Sequence, residues 1–343
     1  MFKTADGDEI FIIDGHIAFW DGSAANQRNR HGAEFIDCFY DYHRNLSPEE
    51  WLWPHDKFTK YDEDTMLHDL FGRGYVDMAI FQPVGLTDFY KEPFGNIEKN
   101  FGLVEKYPGR LIGNGYFDPR DGERGLDLLE YRAKTFGLQG VKLYTAEWHG
   151  DSKGYKLSDP WAQRYLAKCL QLGIRNIHVH KGPTIKPLNR DAFDVADVDD
   201  AASAFPELNF IVEHIGLPRL DDFCWIAVQE PNVYAGLAVA NAFIHTRPRY
   251  FAEIMGELLY WLGEDRILFG SDYALWHPKW LVEKFMSFEL PEDIQKESGQ
   301  RLTLSIKKKI LGENAARLYG IDIEKAKRQL AGDSIAHVIE QAG

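Results

Sequence analysis

The strongest constraint on the fold is an alternation of short apolar runs with longer amphipathic segments along most of the chain. The apolar runs are rich in β-branched and aromatic residues, as buried β-strands are. Segments of helical periodicity lie between most of them, and this alternation predicts parallel strands joined by right-handed helical crossovers. The eight candidate strands cover residues 10–14, 76–83, 111–117, 140–145, 176–180, 209–214, 233–238 and 267–272.

Eight β/α units in 343 residues fit a (β/α)8 TIM barrel better than an open doubly wound sheet. No GxGxxG or GxxxxGK[ST] motif follows any of the strands, so nothing favours a dinucleotide-binding or P-loop fold. We therefore predict a single barrel domain over residues 1–343. It carries a long insertion after the first strand, at about residues 17–75, and C-terminal helices at about residues 304–343.

The predicted insertion is rich in tryptophan and would cover the mouth of the barrel. Trp20, Trp51 and Trp53 could supply an aromatic lid that binds an organic substrate. The alternative is that these tryptophans only pack the insertion onto the barrel.

Charge and cysteine content restrict the partners and the location. With 39 Lys and Arg against 53 Asp and Glu, the formal net charge is -14, which argues against binding to nucleic acid or to an anionic membrane surface. The 3 cysteines are widely separated and lack CxxC spacing, so neither a disulfide framework nor a thiolate zinc site is expected. The acidic N-terminal segment does not resemble a signal peptide, and we expect a cytoplasmic protein.

Histidine and aspartate residues recur at the carboxyl ends of the predicted strands. In a TIM barrel these ends meet at one face, where the active site forms. Imidazole and carboxylate ligands without thiolate suit zinc, manganese or iron. The candidate ligands are Asp14 and His16 on the first strand, His180 on the fifth, His214 on the sixth and Asp272 on the eighth.

Side-chain direction separates the candidates. Asp14 and His16 are two residues apart, so on a strand both point to one side and could bind one metal; alternatively, Asp14 closes a turn. His178 shares a face with His180 but lies deeper, so we expect it to support the ligands from behind. His214 is expected to be a ligand or a general acid/base.

Asp272 follows a hydrophobic strand at the point where the chain leaves the barrel. A carboxylate there can bind a metal and also accept a proton from activated water, so we predict both a metal-binding and a catalytic role. The alternative role, available to any aspartate at a strand end, is the N-cap of the following helix.

The motifs IDGH, GVKLY, VHKG, VEHIG and LFGSDY occur in this order, and together they resemble the amidohydrolase superfamily. The resemblance covers nearly the whole chain and is closest to the amidohydrolase-related branch, which includes metal-dependent non-oxidative decarboxylases. That branch carries H-x-H or E-x-H on the first strand, so Asp14-Gly15-His16 resembles the acidic variant. The resemblance implies His180 and Asp272 as metal ligands, with His214 on the metal or near the reacting carbon.

The number of metal ions is open. The resemblance suggests that Lys142 could be a carboxylated bridge between two metals, as in other amidohydrolases, although its side chain could instead point outward. Glu147 follows in TAEWHGD and is either a further ligand or a solvated loop carboxylate. The sequence therefore predicts one or two divalent ions, zinc, manganese or iron, in each chain.

Four functions are compatible with this site. The first is hydrolysis of a C-N or C-O bond in a small organic substrate by metal-activated water, with Asp272 as proton acceptor. The second is decarboxylation of an aromatic or unsaturated carboxylic acid. The resemblance also admits a dinuclear iron or manganese oxygenase that hydroxylates a small amine with a paralogous subunit. The last is a non-catalytic partner subunit, motivated by Asp14 and Ala18. We expect a homo-oligomer or a hetero-oligomer with a paralogous subunit.

Overall fold

The computed structural model describes residues 1–335 and residue 338. All eight predicted strands are present, although the first begins later than predicted because Glu9–Ile10 pairs with Phe2–Lys3 in a separate hairpin. The eighth strand is only two residues long. In chain order the barrel strands are β1 Ile13–Ile17, β2 Met78–Phe81, β3 Leu111–Gly113, β4 Gly140–Leu143, β5 Asn176–His180, β6 Asn209–Glu213, β7 Val233–Gly236 and β8 Ile267–Leu268.

The strands form a ring of parallel neighbours. One sheet has the order β1-β2-β3 and the other runs from β4 to β8, each strand pairing with the next. Backbone hydrogen bonds join the sheets at both seams, from Gly115 N to Gly140 O (3.0 Å) and from Gly15 N to Phe269 O (3.0 Å). The predicted TIM barrel is confirmed.

Helices surround the strands. Helices also occur in the predicted C-terminal region, whose end beyond residue 335 lies outside the described residues apart from residue 338. The helices are α1 Arg30–Leu46, α2 His55–Thr59, α3 Glu63–Leu67, α4 Ile97–Lys106, α5 Gly122–Phe136, α6 Pro160–Gln171, α7 Asp197–Ala204, α8 Leu220–Gln229, α9 Phe243–Thr246, α10 Pro248–Leu262, α11 Pro278–Ser287, α12 Glu292–Ser298, α13 Leu304–Lys308, α14 Asn314–Leu318 and α15 Ile323–Leu330.

The segment between β1 and β2 holds α1, α2 and α3, and its aromatic side chains pack together. Trp20 is buried, donates from Nε1 to Phe58 O (2.8 Å) and stacks on Phe94 with ring centroids 5.6 Å apart. From α1, Phe35 and Phe39 contact Phe94 with ring centroids 5.3 and 6.3 Å apart. The face of α1 that carries these rings is thereby fixed against the barrel mouth.

Polar side chains are buried within the strands and at their ends, where a TIM barrel usually packs aliphatic residues. Gln82, Asn114, Lys142, His178 and Glu213 are all buried. Because buried polar groups need partners, this composition indicates a functional interior. No helix in the described part of the chain is long and apolar enough to cross a membrane.

Candidate active site

A pocket opens at the carboxyl ends of the strands and combines a polar floor with apolar walls. The polar groups converge from β1, β4 and β5 and from the residues that follow β2, β6 and β8, as expected for a TIM barrel. The polar lining comprises His16, Gln82, Lys142, His180, His214 and Asp272. The aromatic lining comprises Trp20, Phe35, Phe39, Tyr42, Phe94, Tyr144 and Trp276.

Strained backbone marks the ends of β6, β7 and β8. His214 (φ 67°), Val239 (φ 67°) and Asp272 (φ 59°) adopt left-handed conformations although none is glycine. Such conformations cost of order 1–3 kcal/mol each and cluster at functional sites. The strain therefore coincides with two of the predicted site residues.

His16 stands between two carboxylates. Its Nδ1 lies 2.9 Å from Oε2 of Glu213, and its Nε2 lies 3.4 Å from Oδ1 of Asp272. Burial on its own raises the pKa of Glu213, but His16, Lys142 and the histidine hydrogen bonds outweigh it and hold that pKa well below its usual range. Burial raises the pKa of Asp272, against the opposing charges of His16 and Lys142.

The same pocket holds His180 and His214 in direct contact. Nε2 of His214 lies 2.9 Å from Nδ1 of His180, and Nδ1 of His214 lies 3.0 Å from Ala238 O. Burial lowers the pKa of His214 to about 3, with further lowering by Lys142 and His16. Burial also holds the pKa of His180 well below its usual range. Both rings are therefore neutral near pH 7, as a metal ligand or an acceptor of protons must be.

Asp14 lies behind the pocket and does not line it. Its Oδ1 accepts hydrogen bonds from the backbone amides of Ser271 (2.9 Å) and His16 (3.2 Å), while Oδ2 has no partner. Burial raises its pKa to about 6. This position favours a structural role that ties β1 to the segment after β8, rather than the predicted ligand role.

Lys142 points into the barrel and not outward, which is the direction that a role at the metal site requires. It is 1 % exposed, lines the pocket, and its Nζ has no hydrogen-bond partner. Burial lowers its pKa, whereas the carboxylates of Glu213 and Asp272 act in the opposite direction. The lysine is thus buried opposite the acidic groups of the floor.

The other two residues predicted to assist metal binding, Glu147 and His178, do not line the pocket. Glu147 lines a separate crevice, where its Oε1 accepts from Thr87 N (3.3 Å). Burial raises the pKa of Glu147 to about 8, with a further increase from Asp118. His178 lies beneath the pocket, with Nδ1 2.5 Å from Oε1 of Glu213, and so supports the floor from behind.

Of the three predicted substrate-binding tryptophans, Trp20 alone lines the pocket. Trp51 packs against His277, with ring centroids 4.2 Å apart. Trp53 contacts Tyr61 and Tyr273, with ring centroids 5.4 and 6.1 Å apart. The geometry therefore favours packing of the insertion for Trp51 and Trp53.

Two parts of the site escaped the sequence analysis: Glu213 beside the pocket, and the pocket walls from α1. Glu213 has a detectable signal, since it is an acidic residue in an apolar strand and pairs in register with His180. The walls from α1, Phe35, Phe39 and Tyr42, carry no such signal because amphipathic helices place aromatic residues in cores just as often. Their role becomes visible once α1 is placed over the barrel mouth.

The donor set fits a divalent ion in part. For metal-ligand bonds near 2.1 Å, two donors on one tetrahedral ion lie about 3.4 Å apart, and Nε2 of His16 lies 3.4 Å from Oδ1 of Asp272. His180 is held by His214 and would have to turn toward such an ion. Within residues 1–335 and 338, no three His, Cys, Asp or Glu side chains are arranged to hold a metal.

A family profile described as amidohydrolase matches residues 13–321. The chain belongs to the amidohydrolase family. This match spans the barrel from β1 to the helices after β8 and confirms the resemblance drawn from the strand-end motifs. A search of curated proteins finds no match to this amidohydrolase.

Solved structures of similar fold cover nearly the whole amidohydrolase chain. An uncharacterised TIM-barrel protein from Bordetella bronchiseptica has a TM-score of 0.66 at 17% identity, over 93% of this chain and 100% of that one. An amidohydrolase from Burkholderia multivorans with bound zinc has a TM-score of 0.60 at 16% identity, over 91% of this chain and 100% of that one. A 5-carboxyvanillate decarboxylase from Novosphingobium aromaticivorans with bound manganese has a TM-score of 0.55 at 15% identity, over 94% of this chain and 100% of that one. At these identities the likeness establishes the fold.

Proposed function

We propose that this amidohydrolase is a metal-dependent hydrolase that cleaves a C-N or C-O bond in a small, mainly apolar substrate. The observation that carries the proposal is the spacing of His16 Nε2 and Asp272 Oδ1, 3.4 Å apart on the polar floor of an otherwise apolar pocket. The zinc and manganese bound by two structurally similar proteins support a divalent ion.

His16, Asp272 and His180 are the side chains that would hold the ion. When bound, a divalent ion acts as a Lewis acid and makes water nucleophilic near neutral pH. Zinc and manganese both accept this mixture of imidazole and carboxylate ligands, and one ion per chain accounts for the donors that line the pocket.

The remaining chemistry falls to the side chains of the floor. Asp272 is well placed to accept the proton of the attacking water, because burial raises the pKa of its carboxyl above that of an ordinary aspartate. Lys142 would offset negative charge that develops on a substrate oxygen. The aromatic walls exclude bulk water, which strengthens both interactions.

Decarboxylation of an aromatic or unsaturated acid is the second candidate. The aromatic walls favour it, because Phe39, Tyr144 and Trp276 line the pocket above the polar floor and provide flat surfaces for a ring. Lys142 at the floor would then pair with the carboxylate of the substrate. The structurally similar 5-carboxyvanillate decarboxylase shows that the same fold accommodates this chemistry.

A dinuclear oxygenase would need further ligands at the pocket. Glu147 lies in a separate crevice, so a second ion would depend on Lys142 and His214. The oxygenase with a paralogous subunit and the non-catalytic partner are therefore supported less well than a mononuclear enzyme.

Metal content and substrate turnover together test the proposal. Protein purified without chelator should contain about one equivalent of a divalent metal and should hydrolyse members of a panel of lactones, amides and esters. The same panel includes aromatic acids and small amines, with and without O2. Release of CO2 from an acid would favour the second candidate, strict dependence on O2 an oxygenase, and a folded protein that takes up no metal the non-catalytic role.

A further inference from the structure

A buried chain of polar contacts connects the C-terminal helices to the pocket floor. Asn114 Nδ2 donates to the hydroxyl of Tyr319 (2.9 Å), and that hydroxyl lies 2.8 Å from Nε2 of His178. On its other side, Nδ1 of His178 lies 2.5 Å from Oε1 of Glu213. Oε2 of Glu213 lies 2.9 Å from Nδ1 of His16, which completes the chain. All five residues are buried or nearly so.

The direction of each hydrogen follows from the partners. The hydroxyl of Tyr319 donates to Nε2 of His178 at 2.8 Å rather than to Oδ1 of Asn114, which lies farther away at 3.3 Å. His178 then carries its own hydrogen on Nδ1. An ionised carboxylate can only accept, so Glu213 receives that hydrogen. The amide nitrogen of Gln82 donates one hydrogen to Gly15 O (2.9 Å) and also lies 3.1 Å from Nδ1 of His178, but the 2.5 Å contact of that Nδ1 with an acceptor-only carboxylate requires the hydrogen to be on His178.

The second oxygen of Glu213 faces His16 in the same way. Its distance to Nδ1 is that of a charge-assisted hydrogen bond, although the N-H of His16 points off the line to the oxygen and a small ring rotation is needed to align it. When the ring is neutral, as a metal ligand must be, a hydrogen on Nδ1 leaves Nε2 of His16 without one. That bare nitrogen faces Asp272, at the position where an ion would be held.

We propose that Glu213 is a positioning residue: by accepting from both His16 and His178, it fixes the tautomer of His16 so that Nε2 offers its electron pair to the metal. The inference rests on the metal dependence stated under the proposed function. Glu213 does not line the pocket, and it acts on the metal site through His16. Partners of this kind raise ligand basicity and typically change metal affinity 10- to 100-fold.

The substitution Glu213→Gln separates this role from simple packing, because it keeps the size of the side chain. One carboxylate oxygen becomes an amide group that donates, so the substituted side chain cannot accept from both rings. We expect one of the two histidines to move its hydrogen from Nδ1 to Nε2. Zinc affinity should fall about 10- to 100-fold whichever ring changes, since the negative charge behind His16 is lost.

The matched control is Tyr319→Phe, which removes the hydroxyl that links Asn114 to His178 and leaves Glu213 and His16 in place. We expect its zinc affinity to stay within about threefold of wild type, since the contact to His16 is unchanged. A loss as large as that of Glu213→Gln would show that the affinity depends on packing of the C-terminal helices and would overturn the inference.

The measurements are zinc affinity by competition with a chromophoric chelator, and histidine tautomers by nitrogen-15 NMR of the metal-free protein. Signals of His16 and His178 are assigned from single substitutions at each. Hydrogens on Nδ1 of both rings in wild type support the inference even if the Glu213→Gln variant does not fold. A hydrogen on Nε2 of His16 in wild type, or a Glu213→Gln variant with unchanged tautomers and affinity, would overturn it. Wild-type tautomers as expected with no zinc uptake would contradict the proposed function alone.

Discussion

Nε2 of His214 lies 2.9 Å from Nδ1 of His180 in the pocket floor. On the opposite side of its ring, Nε2 of His180 lies 3.1 Å from Pro183 O. Burial, with His214 and Lys142, holds the pKa of His180 well below its usual range, so the ring is neutral and has one hydrogen for two acceptors. If that hydrogen goes to Pro183 O, the facing nitrogens of His180 and His214 both lack one and can be satisfied by a cation.

The first prediction is that removal of a metal-binding side chain empties the site. His180→Ala and Asp272→Ala should each reduce the metal that copurifies to below about one-tenth of the wild-type amount, because the ion loses one of few protein ligands. Elemental analysis of the purified variants measures this. His245→Ala is the control, since His245 contacts Trp280 and does not line the pocket. If both pocket variants keep metal and activity, the proposed site is wrong.

The second prediction concerns Asp14, whose pKa burial raises to about 6 from an ordinary 3.8. Between these values the folded protein binds more protons at this carboxyl than the unfolded chain does, so the free energy of unfolding falls as pH rises from about 4 to about 6. Asparagine does not titrate, so the Asp14→Asn variant lacks this decrease in the free energy of unfolding. Relative to wild type, the variant should therefore gain stability with rising pH, by up to about 3 kcal/mol.

Urea unfolding of metal-free wild type and Asp14→Asn at pH 4.5 and pH 7 measures that gain. A stability difference that stays constant over the interval would contradict the prediction. The same variant tests the ligand role predicted from the sequence. Because Asp14 does not line the pocket that holds His16 and Asp272, we expect Asp14→Asn to retain its metal.

The third prediction concerns the unpaired amine of Lys142. Lys142→Met removes a cation that lowers the pKa of Asp272, so that pKa should rise. Since Asp272 must be ionised to accept a proton, the acidic limb of the pH profile of kcat/KM should move to higher pH. The exposed Lys156→Met serves as the control. A carbon-13 carbamate signal after growth in labelled bicarbonate would instead identify Lys142 as carboxylated.

The sequence predicted the barrel because eight strand-helix repeats constrain the topology strongly. It placed His16, His180, His214 and Asp272 at one pocket because all four lie at or just after the carboxyl end of a strand. The sequence was less informative about the direction in which each side chain points. Asp14 satisfies the two-residue period of a strand, yet its carboxylate is held by backbone amides that include one from the segment after β8. Contacts of that kind depend on the tertiary fold and have no signature in local spacing.

The fourth prediction is that α1 sets substrate size. Phe39 lines the pocket and packs against Trp20 with ring centroids 5.3 Å apart. Phe39→Leu should change KM several-fold among substrates of different bulk while kcat changes less, because the wall lies above the reacting groups. The cost in stability should be about 1 kcal/mol. Trp51→Phe is the control: this ring packs on His277 outside the pocket, so its KM values should match those of wild type. Equal KM shifts in both variants would mean that the insertion acts through its overall stability and not through contact with substrate.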